Sequence, residues 1–192
     1  MVQPSQEALA SLIQRRYDFL IGYQDAAYAQ TYQHLVHRVQ AAERALGGTK
    51  LTEAVARNLF KLMAYKDEYE VARLLSDASF KQQIDRQFEG DYKLAFNLAP
   101  PWLASMDAGG APAKRRFGQA WMPLLKLLPK FKALRGTWFD PFAYSHDRKL
   151  DRQLLKAYQA HIEQCLGGLN AGNLEQAVAI AKVPDMIKGY GH

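Results

Sequence analysis

A chain of 192 residues that is 48% hydrophobic and 23% charged is long enough to bury a real core and too apolar for a disordered segment. Its single cysteine, Cys165, excludes an internal disulfide, a cysteine-held iron–sulfur cluster and a multi-cysteine zinc site, and fits a reducing, cytoplasmic setting. The net charge of +6 is local, because residues 108–139 hold Lys114, Arg115, Arg116, Lys126, Lys130, Lys132 and Arg135 with no acidic residue, leaving the rest nearly neutral.

Acidic and basic residues stand among the first twenty positions, with no apolar run long enough for a leader or an anchor, so neither is expected. Ser5 is the expected N-cap of a helix in which Leu9, Leu12 and Ile13 recur at three and four. The same periodicity runs on through Ile21, Tyr28, Tyr32, Val36 and Val39, with Gly22 as a kink or close contact, and stops at Gly47 and Gly48. A second long helix follows in LTEAVARNLFKLMAYKDEYEVARLL, capped by Thr49 or Thr52, its stripe made by Ala56, Leu59, Phe60, Met63, Val71 and Leu74. Asp77 then caps a shorter one over FKQQIDRQF.

From Glu89 the character changes. GDYKLAFNLAPPW alternates like a strand before paired prolines, and MDAGGAPAKRR is a loop by composition. Pro123 and Pro129 divide WMPLLKLLPKFKALRG into a kinked helix or two short ones, too interrupted for a membrane-surface helix. Asp140-Pro141 and Ser145 read as helix starts, the second opening a helix whose face carries Leu150, Leu154, Tyr158, His161, Ile162, Cys165 and Leu169. A last helix runs from Asn173 to Lys182, with Gln176 placed for a capping box, and ends at Pro184. The whole reads as a mainly α, single-domain, irregular bundle over residues 1–192, with about six to eight helices and a short strand or extended segment near 91–98.

Candidate chemistry is sparse. Asp25 and Asp67 fall in apolar stripes and are expected to be buried, paired with residues such as Arg15, Arg16, Arg57, Arg73 or nearby tyrosines; a shifted general acid or base is the sharper alternative. His34 and His37 lie three apart on one helix without further ligands, so surface or packing histidines are favoured over a metal site. Cys165 reads as an inert core thiol, with His161 one turn away the only hint of a nucleophile. Ser105 and Ser145 lack a nucleophile elbow, and no phosphate-cradling glycine loop is present. The loop holding Trp102, Phe117, Lys114, Arg115 and Arg116 is either a simple crossing or an anion-binding surface. The whole basic run is either a solvated helix face or a set of intrachain salt bridges, or else a contact for a phosphorylated ligand or an acidic protein; nucleic acid is a weaker option without a recognised motif.

The segments LTEAVARNLFKLMAYKDEYEVARLL, FEGDYKLAFNLAPPWL, LRGTWFDPFAY and VPDMIKGYGH, in this order over nearly the whole chain, resemble the domain that ends the long single-chain indolepyruvate ferredoxin oxidoreductases. The resemblance implies a fragment of a multidomain oxidoreductase that oxidatively decarboxylates aryl pyruvates. It further implies a parent that uses thiamine diphosphate with magnesium, iron–sulfur clusters and coenzyme A, and passes electrons to ferredoxin. No Gly-Asp-Gly signature for thiamine diphosphate occurs here, so catalytic, cofactor-binding and metal residues are all expected to lie elsewhere in the parent. Asn97 stands where the family often has histidine, and FGQAW replaces a more compact FG-Pro-Trp pattern, so no catalytic residue is carried over. The expected partners are the other parent domains, with coenzyme A or ferredoxin as further candidates, and no membrane.

Overall fold

The structure, a computed structural model, describes residues 8–90, 93–98 and 115–187, without the side chains of residues 97, 98, 115 and 119. It is mainly α, as the periodicity predicts. The elements are α1 (Leu9–Tyr23), α2 (Ala26–Arg44), α3 (Lys50–Met63), α4 (Glu68–Ser76), α5 (Ala78–Gln87), β1 (Ala95–Leu98), β2 (Arg115–Gly118), α6 (Met122–Leu127), α7 (His146–Gly167) and α8 (Leu174–Ala181). Segments of 3-10 helix occupy Gln119–Trp121, Leu128–Leu134 and Val183–Met186. The chain forms two compact units, passing from the first to the second after Tyr65 and returning at Tyr144.

The first unit packs α1, α2, α3, α7 and α8 around Leu12, Leu20, Tyr32, Val36, Leu59, Ile162 and Val178. Tyrosine hydroxyls do much of the polar work there. Tyr23 and Tyr28 donate to the carbonyls of Tyr65 and Met63 at 3.1 and 3.0 Å, and Tyr158 donates to that of Ala181 at 3.0 Å. These carbonyls lie at or just beyond the C-terminal ends of α3 and α8, where helix geometry leaves oxygens without partners, so each ring fills the core while its hydroxyl satisfies a stranded acceptor.

Two expected long helices are each broken in two. At Gln24 the backbone leaves the helical region (φ −131°, ψ −80°), and Asp25, fully extended, begins α2 by accepting from the Tyr28 N–H at 2.7 Å. Likewise α3 stops at Met63, and Asp67 starts α4 by accepting from the Glu70 N–H at 2.8 Å. In both cases a carboxylate that holds a free N–H outweighs the continuous apolar period. Ile21, Leu74 and Leu150, assigned to apolar stripes, stay exposed.

Other starts agree better with the sequence. Asp77 caps α5 through the Ser79 N–H at 2.8 Å, and Ser145 caps α7 through the Arg148 N–H at 3.3 Å. No helix begins at Asp140-Pro141, where the chain makes turns, and Asn173 precedes α8 without a side-chain cap bond, so the capping box expected from Gln176 does not form. Ser5 lies outside the described residues.

In the second unit α4 packs against α6 and the 3-10 segment that follows it. Ala72, Phe96 and Leu125 are its buried apolar centre, with Leu75, Phe80, Leu94, Met122 and Leu128 around them. Strand β1 pairs antiparallel with β2, which sets Phe96 opposite Phe117. The expected strand is therefore present, while its partner begins inside the stretch expected to be loop. Pro123 sits in the first turn of α6 and Pro129 in the first turn of the 3-10 segment, giving the two short helical pieces that the prolines predict.

Candidate functional site

The basic run does not behave as one surface. Arg135, at its end, is only 7% exposed, and it meets Asp67, 3% exposed, through two bonds: Nε to Oδ2 at 2.5 Å and Nη2 to Oδ1 at 2.9 Å. It therefore leaves the set of candidate partner contacts. Asp67 is buried as expected, yet its partner is none of the arginines proposed for it; the true one lies 68 residues further along the chain, where helical spacing has no reach.

A second carboxylate completes the cluster. Asp140 accepts from the Tyr69 hydroxyl at 3.1 Å, the Gly136 N–H at 2.7 Å and the Phe142 N–H at 3.0 Å. Gly136 has φ +72°, a conformation that side chains rarely adopt, and this turns its N–H back toward Asp140. The Tyr69 ring lies edge-on to Phe142 with centroids 5.1 Å apart, and the Arg135 guanidinium stands 5.5 Å from its centre. Burial and the Asp140 carboxylate together push the Tyr69 hydroxyl well above its ordinary value. With the Asp67 and Asp140 oxygens all engaged, the cluster has no carboxylate poised as a base. It ties residues 135–143 to the start of α4.

Next to it Glu70, also buried, takes a two-pronged bond from Arg73 at 2.8 and 2.7 Å. This bonding, ahead of the opposing cost of burial, holds the Arg73 guanidinium above its ordinary value.

What the cluster presents outward is aromatic. Trp138 is 82% and Phe139 75% exposed, on a loop whose backbone is bonded at Thr137, Asp140 and Ala143. Earlier in the same stretch Leu124, Leu127 and Phe131 are exposed, as are Lys126 and Lys130, while Leu125 faces the core. Arg116 is exposed and Lys132 half-buried. Lys114 and the Arg115 side chain lie outside the described residues, as do Ser105, Trp102 and His192.

The remaining candidates separate. Asp25 is exposed, which corrects the expectation of a buried carboxylate; it sits at the break between two helices instead of on a core face. His34 and His37 are exposed on α2, and no group of three or more potential ligands that could hold a metal occurs among the described residues. Cys165 and His161 both line an open groove of about 250 Å³ with Asn173 and Gln176. Burial pushes the Cys165 thiol up, away from the reactive thiolate. The Asn173 amide is already committed to the backbone at Asn170 and Gly168.

Sequence reasoning missed two buried carboxylates, Glu43 and Glu70. Glu43 is fully buried and accepts from the Leu51 N–H at 2.8 Å, the Thr52 N–H at 2.7 Å and the Thr52 hydroxyl at 2.6 Å. It caps α3 from the end of α2, a charge at the positive end of a helix. Its signal was visible, because Val36, Val39 and Glu43 follow helical spacing and put an acid in an apolar stripe.

Residues 9–192 match a family of unknown function, DUF6537. The chain belongs to this family. No curated protein matches the DUF6537 chain, and no solved structure does. No helix among its described residues is long and apolar enough to cross a membrane.

Proposed function

We propose that this DUF6537 chain is a non-catalytic accessory domain of a thiamine-diphosphate-dependent indolepyruvate ferredoxin oxidoreductase, aiding its assembly or covering a site built by other domains. One observation carries the reading. Two of the segments on which the resemblance rests, the one ending in DEYEVARLL and LRGTWFDPFAY, lock together through Asp67 with Arg135 and Tyr69 with Asp140. Residues 68 or more apart in sequence thus serve one structural purpose, and their pairing suits a domain whose characteristic residues hold a shape. The single cysteine cannot hold the parent's iron–sulfur clusters, so the electron-transfer chemistry falls to other segments.

Deleting the segment from the full-length parent enzyme tests this. The expected result is impaired assembly or turnover, read by sizing and by coenzyme A-dependent 2-oxoacid oxidation. A truncated parent with full activity, substrate affinity and oligomeric state would overturn it. A blot of the source cell supplies the first check: a band well above 21.7 kDa is expected, and one near that mass would count against a multidomain parent.

A further inference from the structure

We propose that the exposed side chains of residues 121–139 in the second unit dock a protein partner that has an apolar centre and an acidic rim. This does not depend on the oxidoreductase reading.

Large aromatic side chains rarely stay exposed on a rigid loop at no cost. Trp138 and Phe139 are the most exposed aromatic residues in this unit's described part, yet their loop is fastened by the Asp140 carboxylate and the Gly136 turn. An anchor already ordered before binding loses little entropy on docking, and tryptophan is the residue most often found at the energetic centre of interfaces. Leu124 and Leu127, one helical turn apart, add exposed apolar area on the same stretch, and Lys126 and Lys130 stand exposed among them.

Charge selects among occupants. No acidic residue occurs from 108 to 139, so carboxylates on the partner would meet lysines without an internal competitor from this stretch. A second copy packed symmetrically through the same face would bring together two lysine-bearing stretches without a carboxylate to offset them. A lipid surface fits less well, because α6 has six residues and the 3-10 piece after it seven. Leu125 and Leu128 of these pieces are spent on the unit's own core, leaving a short apolar row where membrane-surface helices use a long one.

The probe is a synthetic amphipathic helix with leucines on one face and glutamates beside it, titrated into the whole chain at low salt by calorimetry. Binding is expected, weakening as salt rises, and falling about tenfold or more both in Lys126→Glu/Lys130→Glu and in Trp138→Ala/Phe139→Ala. Thermal unfolding of each variant verifies that it is folded. No binding of this peptide, or equal binding of a control with lysines replacing the glutamates, would overturn the proposal. It would also fail if phosphatidylserine vesicles bound the chain while the peptide did not, which would indicate a membrane face. Dimerisation abolished by Trp138→Ala/Phe139→Ala, without peptide binding, would overturn it in favour of self-association.

Discussion

Glu43 illustrates how one side chain can hold two helices in register. Each oxygen accepts a backbone N–H, and Gly48 leaves the space it occupies: a methyl group added at Gly48 would lie 3.0 Å from Oε1. Glu43→Gln must turn its amide NH2 toward one of these N–H donors, so a loss of about 1.5–3 kcal/mol is expected in denaturant unfolding. Gly48→Ala should destabilise in the same direction, since an oxygen held by hydrogen bonds cannot swing aside, and unchanged stability in both variants would remove Glu43 from this role. The Asp67–Arg135 pair carries a larger penalty because both members are buried. Arg135→Met leaves a carboxylate without its cation, and a loss of about 3–5 kcal/mol is expected. Adding Asp67→Asn should cost less than the sum of the single changes, a non-additivity that a double-mutant cycle measures. Tyr32 brings a pH dependence. Burial raises its hydroxyl to about 12 from an ordinary 10.0, and that hydroxyl donates to the Ala56 carbonyl. The folded state therefore keeps a proton that the unfolded state releases. Its contribution is complete below pH 10 and is lost as pH rises toward 12, a loss expected to be smaller in Tyr32→Phe.

At the scale of elements, caps explain why two apolar periods do not become two long helices. The repeat of Ile21, Tyr28 and Tyr32 is continuous in sequence, and so is that of Met63 and Val71. Asp25 and Asp67 interrupt them because a short carboxylate side chain competes for the backbone N–H groups ahead of it. Asp25→Ala is thus expected to lower stability by about 1 kcal/mol. Thr49→Ala, at a cap position with no side-chain bond, should cost less; the reverse order in thermal unfolding would refute the assignment. The features read correctly from sequence are those decided within a few residues: Asp77 and Ser145 as caps, Pro123 and Pro129 as dividers, and the strand at Ala95–Leu98. Asp140-Pro141 misled because the same residue types that begin helices also close turns, and only Gly136 and Tyr69, brought close in space, select the turn.

At the scale of the molecule, the two units are stabilised differently. The first has many buried apolar residues on five helices, whereas the second has a small apolar centre and relies on the Asp67, Arg135, Tyr69 and Asp140 cluster. Hydrogen exchange should accordingly reach the amides of α4 and of residues 122–143 before those of α2 and α3, and Arg135→Met should widen that difference. Uniform exchange across both units in that variant would contradict this division. By itself the sequence determined the helical class, most local starts and stops, the concentration of positive charge and the exclusion of cysteine-based clusters, because each depends on neighbouring residues or on composition. Only the tertiary structure decided that Arg135 belongs to the interior and not to the basic surface, that Glu43 caps a helix it does not belong to, and that Trp138 and Phe139 stand outward. The first two outcomes depend on groups from different elements meeting in a low-dielectric interior, where an unpaired charge or N–H is too costly to persist and the sequence does not say which partner will satisfy it.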